Sequence, residues 1–152
     1  DVKKMMQKHH IPPGCLGLEL TEQTALHGSR IVEKRLSALH QLGVKIIMDD
    51  FGMGHSTLMY MLHNQFDTVK LDGSLVRDVL YNGRSVDIIS SIIYLAKSMG
   101  FRVVAEFVET REQQKKLEEL GCYDYQGYLY SPAIPIEQME EFYRSHSNTV
   151  DE

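Results

Sequence analysis

The stretch VKIIMDDFGMGHSTL, residues 44–58, decides how the chain is interpreted. A mostly apolar run ends in two adjacent carboxylates, Asp49 and Asp50, and two glycines follow within a polar segment. Such a run predicts a strand that is buried on both faces, as in a parallel sheet covered by helices. Because neighbouring carboxylates repel each other and avoid a low dielectric, their place at the end of this strand needs a chemical explanation.

Length and composition predict one globular domain. The chain has 152 residues, of which 43% are hydrophobic and 24% charged, and its formal net charge is −5. This balance gives no reason to expect affinity for nucleic acid polymers or anionic membranes. Cys15 and Cys122 are too few for a disulfide framework, so a reducing cytoplasm is expected. No apolar segment approaches the roughly 20 residues needed to span a bilayer, so no membrane contact by this segment is expected.

The first residues, DVKKMMQKHH, read as the end of a polar helix and lack both an initiator methionine and a signal-peptide core. We therefore expect residues 1–152 to form a single domain fragment of a longer protein.

Strands and helices alternate along the chain. Strands are predicted at 15–22, 44–50, 66–72, 101–109 and 123–131, and helices at 1–10, 28–43, 56–64, 85–100, 110–121 and 135–145. About five strand–helix units in succession require parallel pairing with helical crossovers. Two α/β architectures remain: an open doubly wound sheet, or part of a (β/α)8 barrel. The absence of GxGxxG after the first strand disfavours dinucleotide binding.

Polar residues recur near the carboxyl ends of the predicted strands. They are Glu19 and Glu22, Asp49 and Asp50, Lys70 and Asp72, Glu106 and Glu109, and Gln126 in the fifth strand. One acidic residue at such a place is commonly a helix cap or a salt-bridge partner, and this remains an alternative for Asp72, Glu22 and Glu109. Acidic residues at four successive strands are less expected. In a parallel sheet these ends share one rim, where active sites of such folds lie.

So many carboxylates at one rim require positive charge among them. Lys70 supplies one charge, and divalent cations would supply the rest. Oxygen ligands without a cluster of His or Cys favour Mg²⁺ or Mn²⁺ over zinc. Two such ions bridged by an aspartate are usual in phosphoryl chemistry, and adjacent carboxylates at a strand exit can face two ions.

Five motifs, LELTE, DDFGMGHSTL, VKLD, AEFVET and QGYLYS, occur in the order and spacing of one family. Over residues 1–143 the chain resembles the C-terminal part of an EAL domain, the cyclic di-GMP phosphodiesterase domain of bacterial signalling proteins. The resemblance implies a TIM-type (β/α)8 barrel with one antiparallel strand. It also implies hydrolysis of one phosphodiester bond of cyclic di-GMP to give linear pGpG, with Mg²⁺ or Mn²⁺.

The resemblance implies roles for the residues that match. Glu19 resembles the ligand of one metal, Asp49 the bridging ligand and Asp50 the ligand of the second metal. Glu106 resembles the carboxylate that serves the second metal, directly or through water. Lys70 resembles the lysine that orients the attacking water and neutralises charge.

Further matches imply supporting roles. Asp72, Glu109 and Gln126 resemble supporting or substrate-contacting residues, and Glu22 resembles the glutamate that braces the loop after DDFG. The family also implies an upstream sensory or GGDEF-type domain, a homodimer, and a bacterial cytoplasmic location that allows membrane tethering through other domains.

Departures from the family pattern leave a second hypothesis open. The E-A-L motif with its metal-binding Glu and nearby Arg, and an Asn ligand, are absent, so about three N-terminal strands are expected outside this chain. Phe107 stands where the family prefers Gly, Gly73 stands where Arg is usual, and Met53, His55 and Thr57 alter the loop. The alternative is a degenerate EAL domain that acts as a non-catalytic cyclic di-GMP receptor or a protein-interaction module. In either case the isolated segment is expected to be inactive and to self-associate.

Overall fold

A computed structural model describes residues 1–21, 30–52 and 66–147. The helices are α1 (Val2–Lys8), α2 (Arg30–Gln41), α3 (Gly73–Asp78), α4 (Gly83–Met99), α5 (Arg111–Leu120) and α6 (Ile136–Ser147). The strands are β1 (Gly17–Thr21), β2 (Lys45–Phe51), β3 (Thr68–Leu71), β4 (Arg102–Ala105) and β5 (Asp124–Tyr125). The helix predicted at 56–64 lies outside the described residues. None of the helices in the described part is both long and apolar enough to cross a membrane.

The described strands form one parallel sheet in the order β1-β2-β3-β4-β5. Each strand is added on the same side of the one before it, and in the described residues helices connect β1 to β2, β3 to β4 and β4 to β5. A doubly wound sheet reverses its strand order at a switch point, whereas a barrel adds its strands in sequence. The order therefore selects the partial (β/α)8 barrel of the two predicted architectures.

The core lies between the three central strands and helix α4. Ile46, Met48, Val69 and Leu71 are fully buried, and the same cluster includes Ile89 of α4. These side chains belong to the apolar runs that predicted buried strands, and α4 packs on both β4 and α5. The apolar packing holds the central strands in register, and this fixes the positions of the polar residues at their carboxyl ends.

Helix ends follow the sequence signals closely. Thr110 and Gln113 form a reciprocal capping box at the start of α5, and Gly121 ends that helix with φ 91°. Gly100 ends α4 with φ 80°. The short helix α3 was not predicted, because six residues carry too little periodicity. Its main local signal is the Asp72 side chain, which caps the helix by accepting a hydrogen bond from the Ser74 N–H.

Two predicted strands are wrong in extent. The strand predicted at 101–109 ends at Ala105, and the strand predicted at 123–131 is only Asp124–Tyr125. After Tyr125 the chain turns at Gly127, whose carbonyl accepts hydrogen bonds from the Tyr130 and Ser131 N–H groups. The alternating tyrosines suggested a strand, but the turn instead stacks the rings of Tyr125 and Tyr130, with centroids 6.1 Å apart.

Candidate functional site

Strand β2 presents its two aspartates through a local irregularity. The pairing of β2 with β3 shifts register between Met48 and Phe51, and Asp50 adopts φ 55°. In a regular strand, consecutive side chains point to opposite faces, so adjacent carboxylates would be separated. The bulge breaks this alternation, and short polar residues such as Asp tolerate the left-handed conformation better than most. Both carboxylates can therefore face the same rim.

Lys70 lies at the centre of the acidic rim. It is 5% exposed, and its Nζ lies 2.6 Å from Glu106 Oε1, 3.2 Å from Glu19 Oε2 and 3.5 Å from Asp49 Oδ1. These partners come from β1, β2 and the residue that follows β4, so strands on both sides of β3 contribute. A buried ammonium group is tolerated only when it is paired, and three carboxylates provide that pairing.

Three carboxylates converge beside this lysine. Asp49, Asp50 and Glu106 each bring one oxygen to within 4.8 Å of the others. Hard oxygen donors at this separation match the preferences of Mg²⁺ and Mn²⁺, and the described residues add no His or Cys to the group. The donor set therefore fits the predicted ions.

The charges of the rim are not balanced by Lys70 alone. Burial raises the pKa of the Glu106 carboxyl, and Asp49 and Glu19 add to this effect although Lys70 opposes it. Partial burial and repulsion from its acidic neighbours also raise the pKa of Asp50. Burial lowers the pKa of Lys70, but hydrogen bonds to Glu106 and Glu19 outweigh it and leave that pKa raised. The rim thus places four carboxylates, Glu19, Asp49, Asp50 and Glu106, beside one ammonium group, a charge balance that suits a cation site.

The other predicted site residues take different positions. The Asp72 carboxylate caps α3 by accepting hydrogen bonds from the Ser74 N–H and hydroxyl. This is the helix-cap alternative that the sequence left open for Asp72. Glu109 and Gln126 lie close together and line a cavity beside Glu106. Glu22 lies outside the described residues, so its bracing role stays a prediction.

The cavity has a volume of about 230 Å³ and is lined by Glu106, Phe107, Glu109, Gln126, Gly127 and Tyr128. It forms because the chain after β5 lies directly against the chain after β4. The Gln126 N–H donates to the Ala105 carbonyl at 2.8 Å, and the Val108 N–H donates to the Gln126 carbonyl at 3.1 Å. Glycine is required at position 127, since a Cβ there would fall 2.7 Å from the Val108 carbonyl carbon and closer still to other backbone atoms of Val108.

Sequence reasoning missed one feature of this rim. Phe107 adopts φ 55°, the residue is 49% exposed, and the Arg77 guanidinium lies 4.9 Å from its ring centroid. A bulky residue with positive φ is a genuine outlier of backbone geometry. Only its position directly after Glu106, in place of a glycine, could have signalled it.

The chain thus combines a parallel segment of a barrel with a rim on which carboxylates surround Lys70. The chain belongs to the EAL domain family, whose model matches residues 1–133.

The curated relatives of the chain are longer proteins, and the chain matches one part of each. The chain is 37% identical over 133 residues to the probable cyclic di-GMP phosphodiesterase PdeA of Escherichia coli, covering 88% of this chain and 18% of PdeA. It is 34% identical over 138 residues to the bifunctional diguanylate cyclase/cyclic di-GMP phosphodiesterase MucR of Pseudomonas aeruginosa, covering 91% of this chain and 20% of MucR. The chain thus spans about a fifth of the length of these two relatives.

Solved structures agree with the fold. The EAL domain of Mycobacterium smegmatis DcpA matches with a TM-score of 0.88 at 33% identity, covering 95% of this chain and 65% of that one. A manganese and cyclic di-GMP complex of Klebsiella pneumoniae BlrP1 matches with a TM-score of 0.78 at 33% identity, covering 86% of this chain and 34% of that one.

Proposed function

We propose that residues 1–152 are the C-terminal part of an EAL domain that, when complete, hydrolyses cyclic di-GMP to linear pGpG. The observation that carries the proposal is the contact of the Lys70 ammonium with carboxylates from both sides of β3. The activities named for PdeA and MucR, and the ligands in the BlrP1 complex, support it.

Four carboxylates would hold two ions, Mg²⁺ or Mn²⁺, in the complete domain. Asp49 is suited to bridge them because it lies close to Asp50, Glu106 and Lys70. Glu19 would serve one ion, and Asp50 and Glu106 the other. When bound, such ions polarise phosphoryl oxygens and lower the pKa of water.

Lys70 has two roles in this proposal. One of its N–H donors, in exchange for the long 3.5 Å contact with Asp49, would orient the attacking water, and its charge would oppose the negative charge that develops on the phosphoryl oxygens. Burial by the strands on either side keeps the ammonium in place, so little reorganisation is needed during the reaction. Glu106 contributes by holding Lys70 at 2.6 Å as well as by its own charge.

The rest of the domain would supply what this chain lacks. Further ligands and an arginine clamp for the substrate are expected from about three upstream strands, as the family resemblance implies. Within the described residues, β1 and β5 each pair on one side only, so each leaves an edge of unpaired backbone groups. The isolated segment would therefore be inactive and would self-associate. A homodimer and an upstream sensory or GGDEF-type domain are proposed for the full protein.

A non-catalytic receptor is the second candidate. The observation that favours it is Phe107, a half-exposed aromatic residue at positive φ directly after Glu106. In this proposal its ring would add binding surface and no ligand for metal. A receptor would bind cyclic di-GMP without forming pGpG.

The test is product analysis with the complete domain in MnCl₂, comparing wild type with Asp49→Asn and a matched control, Asp124→Asn. Asp124 forms an exposed ion pair with Arg102, away from the rim. We expect pGpG from wild type and the control, and none from Asp49→Asn. Binding without product in wild type would support the receptor, and equal turnover by Asp49→Asn would refute the site.

A further inference from the structure

The rim carries a strained aromatic residue that the proposed chemistry does not use. Phe107 holds φ 55° although it is neither glycine nor a short polar residue. Such conformations cost about 1–3 kcal/mol and persist where the surrounding structure imposes them, commonly at ligand sites. The side chain of Phe107 is about half exposed.

The structure makes room for this ring on α3. A Cβ at Gly73 would fall 2.9 Å from both Cε2 and Cγ of Phe107 and closer still to Cδ2, so the ring occupies the space of a side chain at position 73. One helical turn further, the Arg77 guanidinium lies over the ring at 4.9 Å. Helix α3 therefore supports the ring with a glycine and a cation.

The supported ring forms one wall of the cavity beside Glu106. At about 230 Å³ the cavity is smaller than the roughly 300–1,000 Å³ of sites for drug-sized ligands, so it suits one part of a ligand, such as a single base. Flat aromatic surfaces beside a phosphate-handling site commonly stack nucleobases. A cation over the phenyl ring withdraws electron density from it, which favours an electron-rich purine as the stacking partner.

The polar lining indicates which purine fits. Glu109 and Gln126 line the same cavity. A carboxylate accepts two hydrogen bonds from neighbouring donors, and the N1–H and N2–H groups of guanine form such a pair. Adenine presents an unprotonated N1 at that edge, which a carboxylate would repel.

We propose that Phe107, backed by Arg77 and accommodated by Gly73, is a specificity-determining residue that stacks one guanine base of the cyclic dinucleotide. The proposal rests on the proposed function. It requires that removing the ring weakens ligand binding while leaving the fold and metal binding intact.

The experiment measures binding by calorimetry in the complete domain with MnCl₂, using a Lys70→Met background so that the ligand stays uncleaved. Phe107→Ala and Phe107→Gly should weaken cyclic di-GMP binding roughly 5- to 100-fold, the range expected for loss of one stacked base. Phe107→Tyr should stay within about threefold, because it keeps the ring. Tyr94→Ala, which removes an exposed aromatic side chain from α4, is the matched control and should bind like the parent.

Thermal unfolding separates a binding role from a structural one. Phe107→Gly relieves the strain at positive φ, so its melting temperature should equal or exceed that of the parent while its affinity falls. The titration of Mn²⁺ should be unchanged. Cyclic di-AMP should bind the parent more weakly than cyclic di-GMP.

Three results would overturn the proposal. Affinity of Phe107→Ala within twofold of the parent would show that the ring is not a stacking surface. A joint loss of melting temperature and affinity in Phe107→Gly would assign Phe107 a structural role. A wild-type domain that binds Mn²⁺ but neither binds nor cleaves cyclic di-GMP would remove the proposed function as well, and this result is distinct from the first two.

Discussion

Lys70 Nζ lies 2.6 Å from Glu106 Oε1, and both side chains are almost completely buried at the carboxyl edge of the sheet. The two residues come from neighbouring strands, one inside β3 and the other directly after β4. Glu19 and Asp49 approach the same ammonium group. Replacing Lys70 or one of its acidic neighbours therefore changes the electrostatic energy of the remaining charged groups.

Replacing Lys70 by Met should destabilise the metal-free domain. The change removes the ammonium group and leaves the buried Glu106 carboxylate unpaired beside Asp49 and Glu19, at a cost of about 1–4 kcal/mol. Urea unfolding in EDTA measures the loss, and MnCl₂ should restore part of it. Lys116→Met is the control, because Lys116 forms a surface ion pair with Glu119 and its replacement should shift stability by less than about 0.5 kcal/mol. Equal stability of the Lys70 variant and wild type in EDTA would contradict the charge balance described above.

Replacing Asp50 by Asn should have the opposite effect in EDTA. Partial burial and the neighbouring acids raise the pKa of Asp50, so its charged form disfavours the fold at neutral pH. Asn keeps the shape and tolerates the φ of 55°. We expect a melting temperature about 1–4 °C higher than wild type in EDTA and a smaller gain on adding MnCl₂. A lower melting temperature in EDTA would show that Asp50 is stabilising in its charged form.

Asp67 offers a test at the opposite end of the sheet. Its carboxylate accepts hydrogen bonds from Lys45 Nζ at 2.6 Å and from the Ile46 N–H at 2.9 Å. Partial burial alone would raise the pKa of Asp67, but these partners together lower it. A lowered folded-state pKa stabilises the fold above the unfolded pKa of about 3.9, and this contribution is lost as pH falls through the folded-state value.

The variant Asp67→Asn should therefore lose about 1–3 kcal/mol of unfolding free energy at pH 7, and the difference from wild type should shrink as the pH is lowered below about 4. Urea unfolding at pH 7 and at acidic pH measures both values. A difference that stays constant over this range would mean that the charge of Asp67 contributes nothing.

Gly73 and Phe107 should be energetically coupled. Gly73→Ala places a Cβ against the Phe107 ring and should cost about 1–2 kcal/mol through overpacking. In a Phe107→Gly background the clash is absent, and the same change should be neutral or stabilising by up to about 1 kcal/mol, since Ala favours a helix. A double-mutant cycle from urea unfolding gives the coupling, expected at about 1–3 kcal/mol. If the changes in unfolding free energy caused by Gly73→Ala and Phe107→Gly simply add, the two residues are not in contact.

The rim could be predicted from sequence because parallel strands bring their carboxyl ends together. Once 44–50 and 66–72 were identified as strands, the approach of Asp49 to Lys70 followed from the topology, and the structure brings them to 3.5 Å. The helix caps at Thr110 and Gly121 could also be predicted, because each depends on one residue and its neighbours in sequence.

Other features depend on contacts between distant segments. The early ends of β4 and β5 follow from the close approach of Gly127 to the Val108 backbone, which no periodicity encodes. Likewise, Gly73 and Phe107 are far apart in sequence. Each departs from the family pattern, but only the fold shows that the two positions are in contact. The bulge that turns Asp49 and Asp50 to one side was also invisible in the apolar pattern before it.

We propose that the lysine-centred rim hydrolyses cyclic di-GMP in the complete domain. The rate of pGpG formation in MnCl₂, measured by chromatography for wild type, Lys70→Met and Lys116→Met, tests this proposal. We predict that Lys70→Met lowers kcat by about 10²–10⁴-fold, the range of a positioned proton-handling or charge-stabilising group, while Mn²⁺ still binds and Lys116→Met behaves as wild type. A Lys70→Met domain that binds Mn²⁺ and forms pGpG at the wild-type rate would contradict this account.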